Sequence, residues 1–132
     1  MKSTAFFKCN KDCGVLRLVD GNAAKIKTCL GDAFEELDSS KSQGAGEKHL
    51  PNVKISGSTV RVNVGSIPHP MTEEHSIGWV YLETTCGGQL KYLEPDHEPV
   101  AVFLLADGES AVAAYAYCNL HGFYKTMITF PQ

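Results

Sequence analysis

The chain has 132 residues, 43% of them apolar, which is enough for one domain with a real core or one domain with a small appendage. Its formal charge of -3 argues against a nucleic-acid binder dominated by phosphate contacts, and no run of about 18 apolar residues offers a membrane span. The opening "MKSTAFFKCNKDCG" lacks the apolar stretch and small-residue cleavage site of a secretory signal. A cytoplasmic protein is therefore expected, with its five cysteines reduced, an odd count that suits thiols or metal ligands better than a disulfide framework.

Residues 1–38 hold Cys9, Cys13 and Cys29 among short apolar runs, "VLRLV" and "AKIKTCL". Helix is expected to have little room beyond Gly31 to Leu37. Residues 39–50, "SSKSQGAGEKHL", are rich in Ser, Gly and Lys and read as a mobile loop. From Pro51 onward the pattern is β. "VKISGSTVRVNVG" alternates Val53 and Ile55, then Val60, Val62 and Val64, around Ser56-Gly57-Ser58, which predicts a hairpin. "SIGWVYLETT", "GQLKYLE", "PVAVFLLA", "SAVAAYAYCN" and "FYKTMITF" follow, rich in β-branched and aromatic residues. Turns at Cys86-Gly87-Gly88, Pro95-Asp96 and Asp107-Gly108 separate them. About seven short strands at regular spacing predict an all-β chain folded as a β-sandwich.

The chemistry-bearing residues lie where strands end. Of the five histidines, His49 closes the loop before Pro51, His69 and His75 bracket "HPMTEEH", and His121 shares a turn with Cys118 in "AYAYCNLHGFYK". His97, in "EPDHEP", reads as a solvated loop residue. One histidine in a polar loop is ordinarily just solvated, and one cysteine at a strand end is ordinarily a small buried hydrophobe. Four histidines and a thiol at strand ends raise a different reading, because a sandwich gathers such ends into one site. Zinc takes four donors and its structural sites are cysteine-rich. Five nitrogen and sulfur donors suit a redox metal better, and a thiolate opposite an open position favours electron donation to a bound oxygen species.

The stretches "EKHLP", "HPMTEEH", "KYLEPDHEPVAVF" and "AYAYCNLHG" resemble the superoxide reductase family, the desulfoferrodoxins and neelaredoxins. The resemblance implies an immunoglobulin-like sandwich over residues 39–132, with a small desulforedoxin-like module over residues 1–38. It implies one mononuclear iron, with His49, His69, His75 and His121 as equatorial ligands and Cys118 as the axial one. It assigns Glu47 and Lys48 catalytic roles: Glu47 at the sixth position of the ferric iron, Lys48 attracting the anion and helping deliver protons. The implied reaction is one-electron reduction of superoxide to hydrogen peroxide without release of oxygen. The implied electron donor is a rubredoxin-like protein.

The N-terminal module departs from the family pattern. Two-iron members carry a Cys-x-x-Cys pair and an adjacent Cys-Cys pair. Here "CNKDC" puts three residues between Cys9 and Cys13, and Cys29 is followed by Leu30. Three thiolates leave a tetrahedral site incomplete, although Asp12 or Asp32 could stand in, so a second iron at Cys9, Cys13 and Cys29 is not expected. Phe6, Phe7, Val15, Leu16, Leu18 and Ile26 then need another surface to bury against, and a homodimer would provide one. A non-catalytic iron-binding protein on the same fold, serving electron transfer or sensing, is the alternative function.

Overall fold

The computed structural model describes residues 4–41 and 49–128. The chain divides into two compact units, Met1–Asp38 and Ser39–Gln132.

The first unit is a three-stranded antiparallel sheet and one helix. The strands β1 (Phe6–Cys9), β2 (Val15–Arg17) and β3 (Phe34–Glu36) lie in the order β2-β1-β3. Helix was expected, if anywhere, at Gly31–Leu37. It forms earlier instead, as α1 (Ala23–Leu30), and Phe34–Glu36 is strand. Two caps explain the shift. The Asn22 side chain accepts the Lys25 amide at 3.0 Å, satisfying an orphan donor of the first turn. Gly31, at φ 66, ends the helix in a conformation that costs glycine little. No residue of α1 is fully buried, but Ala23, Ile26, Lys27 and Leu30 are half-buried at helical spacing, so a short inner face adds to these caps.

The expectation of five reduced cysteines also fails, because Cys9 and Cys13 are joined in a disulfide with their Cα atoms 5.5 Å apart. The three-residue spacer allows this by forming a tight turn. Asp12 has a φ of 55, its amide donates to the Cys9 carbonyl at 3.1 Å, and the Cys9 amide donates to the Gly14 carbonyl at 2.9 Å. The spacing that spoils a metal knuckle therefore suits a bridge.

The second unit is the β-sandwich. All seven strand segments predicted from Pro51 onward form among the described residues: β4 (Pro51–Ser56), β5 (Thr59–Val64), β6 (Ile77–Thr84), β7 (Gly87–Tyr92), β8 (Val100–Leu104), β9 (Ala111–Cys118) and β10 (Gly122–Met127). They make two antiparallel sheets, β10-β9-β6-β7 and β4-β5-β8. The predicted hairpin pairs Ser56 with Thr59, leaving Gly57 and Ser58 as a two-residue turn. Val60, Val62 and Val64 of β5 and Phe103 of β8 share one core with Val80 and Leu82 of β6 and Ala114 and Ala116 of β9. Burying those side chains contributes about 1.5–3 kcal/mol for each large one.

On β7, Gly88 lies directly against the phenol of Tyr81, which is itself buried. A Gly88→Ala methyl would have to displace that ring, so unfolding free energy should fall by about 1–3 kcal/mol. Denaturant unfolding checks this, and metal content of the folded fraction should be unchanged, since Gly88 is remote in the sheet register from the strand ends described next.

Candidate metal centre

Strand register brings the candidate ligands to one end of each sheet. In the four-stranded sheet, Cys118 of β9 lies opposite both Ile77 of β6 and Gly122 of β10. His75, two residues before Ile77, and His121, one before Gly122, therefore emerge beside the cysteine. In the other sheet, Pro51 pairs with Val64, so His49 enters β4 where the chain leaves β5 toward His69. The Thr126 hydroxyl donates to the Pro51 carbonyl at 2.7 Å and ties β10 to β4 next to His49.

The loops are then pinned to one another. The Gly65 amide donates to the Leu50 carbonyl at 2.9 Å and the His69 amide to the Val64 carbonyl at 3.4 Å. Asn119 acts as a bracket between the His75 loop and the Cys118 turn. Its side-chain amide donates to the Glu74 carbonyl at 2.9 Å, its side-chain oxygen accepts the Ser76 amide at 3.0 Å, and its own amide donates to the Ser76 carbonyl at 3.2 Å.

One ligand atom from each of His49, His69, His75, Cys118 and His121 lies within 4.8 Å of every other. The four imidazoles form a square. Neighbouring ring centroids are 4.6 Å apart for His49–His69 and for His69–His75, 4.9 Å for His75–His121 and 4.8 Å for His121–His49. The diagonal His49–His75 is 6.3 Å. Each ring stands nearly perpendicular to its neighbours, at 74° to 87°, so the nitrogens face inward without the rings colliding. Nε2 of His49 is 2.9 Å from Nδ1 of His121. That is close to the separation expected of two donors at right angles around an ion, about 3.0 Å for metal–nitrogen bonds of roughly 2.1 Å. Cys118 Sγ is 3.8 Å from the same Nδ1 and is fully buried.

Two observations test whether a metal fits. First, His69 Nδ1 donates to the Pro70 carbonyl at 2.6 Å. A carbonyl only accepts, so the proton sits on Nδ1 and the lone pair on Nε2. That Nε2 is buried with no hydrogen-bond partner, the condition of a ligand atom whose partner is a cation. Second, burial lowers the His69 pKa from 6.5 to about 4, with the Pro70 bond opposing and His49, His75 and His121 adding to the depression. The ring is therefore neutral and able to bind metal at ordinary pH. The donor set, four imidazoles and one thiol, fits a mononuclear iron site and exceeds what tetrahedral zinc takes.

His97 is exposed in the loop before β8 and lies outside this group. Cys86 and Cys29 are exposed thiols, also outside it. Glu47 and Lys48 fall outside the described residues, as does most of the expected loop 39–50. Ser39–Lys41 forms one 3-10 turn, and His49 resumes the description. The residues that the motif reading missed are supports. Tyr124, nine-tenths buried on β10, stacks on His49 with centroids 4.6 Å apart and planes 18° apart. Its pKa is raised by burial first and by the neighbouring Cys118 second. Asn119 could have been flagged only as a turn residue between Cys118 and His121.

The chain matches the family model described as Desulfoferrodoxin over residues 41–127. A crystal structure of the superoxide reductase from Treponema pallidum superposes with a TM-score of 0.80 at 35% identity, covering 95% of this chain and 99% of that one. A one-iron superoxide reductase from Giardia intestinalis gives a TM-score of 0.55 at 37% identity, covering 64% of this chain and 99% of that one. A desulfoferrodoxin from Clostridium acetobutylicum is 35% identical over 111 residues, 84% of this chain and 86% of its own length. Fold and site together define a β-sandwich metalloprotein with a histidine–cysteine centre. The chain belongs to the desulfoferrodoxin family. No helix among the described residues is long and apolar enough to cross a membrane.

Two outcomes follow from this geometry. Asn119→Ala should weaken metal affinity about tenfold or more, as loss of outer-shell support does, measured by competition with a chelator. The metal-free protein should also lose stability as pH falls from about 6.5 to about 4. His69 is protonated below its usual value only after folding is undone, so the unfolded chain binds more protons in that window and stability rises with pH across it. Urea midpoints of apo protein at pH 7 and pH 5 measure the effect, and the His69→Gln variant should flatten it.

Proposed function

We propose that the chain is a superoxide reductase, taking one electron and two protons to convert superoxide into hydrogen peroxide without releasing oxygen. The observation that carries this reading is the square of four imidazoles with a buried thiol beside it. Five fixed donors leave an octahedral ion one position short of saturation, which is a substrate position in an enzyme and would be wasted in a pure electron carrier. Iron, when bound, would supply the one-electron couple.

The chain's own residues divide the remaining work. His49, His69, His75 and His121 would hold the cation through ring nitrogens, which carry no charge to offset its own. Cys118, fully buried, would supply a sulfur ligand that donates electron density where no water competes for its lone pairs. Pro70 and Tyr124 fix the rings of His69 and His49. Glu47 and Lys48 precede the candidate ligand His49 by two residues and one in the sequence. Lys48 is proposed to draw superoxide in and to order the water that delivers protons, and Glu47 would offer its carboxylate to the oxidised iron. The electron donor is proposed to be a small rubredoxin-like protein. Assembly is proposed to be a homodimer, for which the exposed Leu16 and Val19 of the N-terminal unit supply apolar surface.

The central test is superoxide consumption by iron-loaded protein with oxygen followed in parallel. Consumption with stoichiometric peroxide and no oxygen release is expected, whereas oxygen release would mean dismutation, and no consumption would leave a carrier or sensor. Cys118→Ser should abolish the thiolate-to-iron charge-transfer band and most activity, because a hydroxyl donates electrons less well. Lys48→Ala should slow the second-order reaction about tenfold and weaken its salt dependence. Glu47→Ala should leave that step unchanged and alter only the resting ferric spectrum.

A further inference from the structure

The Cys9–Cys13 bridge has no part in the proposed reaction, yet its surroundings differ from those of a structural staple. It joins a buried sulfur to an exposed one: Cys9, the last residue of β1, is 7% exposed, while Cys13 lies open in the turn. It closes a very short loop, three residues between the cysteines, which is where a cross-link restricts the unfolded chain least. The turn does not depend on the bridge for its shape. It is held by the Cys9 amide on the Gly14 carbonyl at 2.9 Å, the Asp12 amide on the Cys9 carbonyl at 3.1 Å and the Asn10 amide on the Ala33 carbonyl at 2.9 Å, with Lys8 paired to Asp12 at 3.3 Å across it. Cutting the bridge would therefore leave two thiols still facing each other and ready to close again.

We propose that Cys9 and Cys13 form a reversible dithiol–disulfide site that exchanges two electrons with low-molecular-weight thiols through the Cys13 sulfur. A thiolate from solution attacks Cys13 Sγ, the bond to Cys9 breaks, and Cys9 leaves as a thiolate that takes a proton. A second thiolate then attacks the reagent's sulfur in the mixed disulfide and releases Cys13, which is protonated in turn. Two reagent thiols become one disulfide, and the protein gains two electrons and two protons. Reversal of the same two steps re-forms the bridge, so no further oxidant is required. Cys13 is the point of entry because exposure governs attack, and Cys9 is shielded by the sheet.

Equilibration of the full chain with glutathione at graded ratios of reduced to oxidised form, followed by acid quenching, alkylation in denaturant and peptide mass mapping, tests this. Cys9 and Cys13 should gain label together, reversibly, within the accessible range of ratios. Exposed Cys29 and Cys86 serve as single-thiol controls that never gain label as a pair. In Cys9→Ser, the remaining Cys13 should take up glutathione at least about tenfold faster than Cys9 does in Cys13→Ser. A bridge that stays oxidised at every ratio would make it a structural cross-link, five alkylatable thiols at the most oxidising ratio would mean that no bridge forms, and equal rates in the two variants would remove Cys13 as the entry point. The titration of the parent protein decides the first two whether or not the variants fold.

Discussion

The loop end of the sandwich depends on gathering four imidazoles and a thiol at one point. Without a cation that arrangement is uphill, because it crowds four ring nitrogens and a sulfur within 4.8 Å of one another. Burial adds to the cost, as the depressed pKa of His69 shows. A bound cation reverses the sign of every one of these terms at once. The binding free energy of the ion is thereby coupled to folding of the loops that carry the ligands. This is why so much of the local hydrogen bonding fixes ring orientation. The Pro70 carbonyl sets a tautomer, Asn119 locks two loops, and the Tyr124 ring presses flat on His49.

The sandwich itself makes the gathering possible at small cost. Each ligand lies just outside a strand, so the core strands do not have to accommodate a polar group. Cys118 is the exception, as the last residue of β9, and a thiol is the one donor here that packs as an apolar side chain when buried. The register of β9 against both β6 and β10 fixes Cys118, and the ligands on either side follow from it within one or two residues. A one-residue slip of β9 would turn Cys118 to the opposite face and leave the square without its fifth donor.

Much of this was legible in the sequence, and what was missed has a common cause. The strands could be read because alternation and turn residues are local signals, and the all-β sandwich followed from their number. The donor residues were visible by type and by position at strand ends. The helix was misplaced because its half-buried positions, Ala23, Ile26, Lys27 and Leu30, span only about two turns and include a lysine, too short and too polar a period to stand out. Only Asn22 and Gly31 marked its ends. The disulfide was missed because the reading of the cysteines began from an expected reducing compartment, while bridging of Cys9 to Cys13 is decided by a tight turn around Asp12. Tyr124 and Asn119 carry no signature at all. A stacking partner and a loop bracket are defined by what they touch, and contact between residues far apart in the chain is a property of the fold.

Burial within the square is uneven, and this asymmetry bears on how the proposed reaction would be organised. His49 and His69 are buried, whereas His75 and His121 are only half-buried, and Cys118 is fully enclosed. A thiolate sealed from water keeps its charge unscreened and directed at the ion, because the effective dielectric around it is low. Electron donation from Cys118 should thus be indifferent to salt. An incoming anion would arrive through solvent, where charges are screened over about 10 Å at ordinary ionic strength, so its approach should be sensitive to salt. In the proposed reaction the two electrostatic tasks would then be divided: the buried Cys118 would set the electronic character of the centre, and the half-buried His75 and His121 would lie nearer to the arriving anion. On the proposed reading, a substitution at Cys118 would move the spectrum and the potential while leaving the encounter of the anion with the centre as it was.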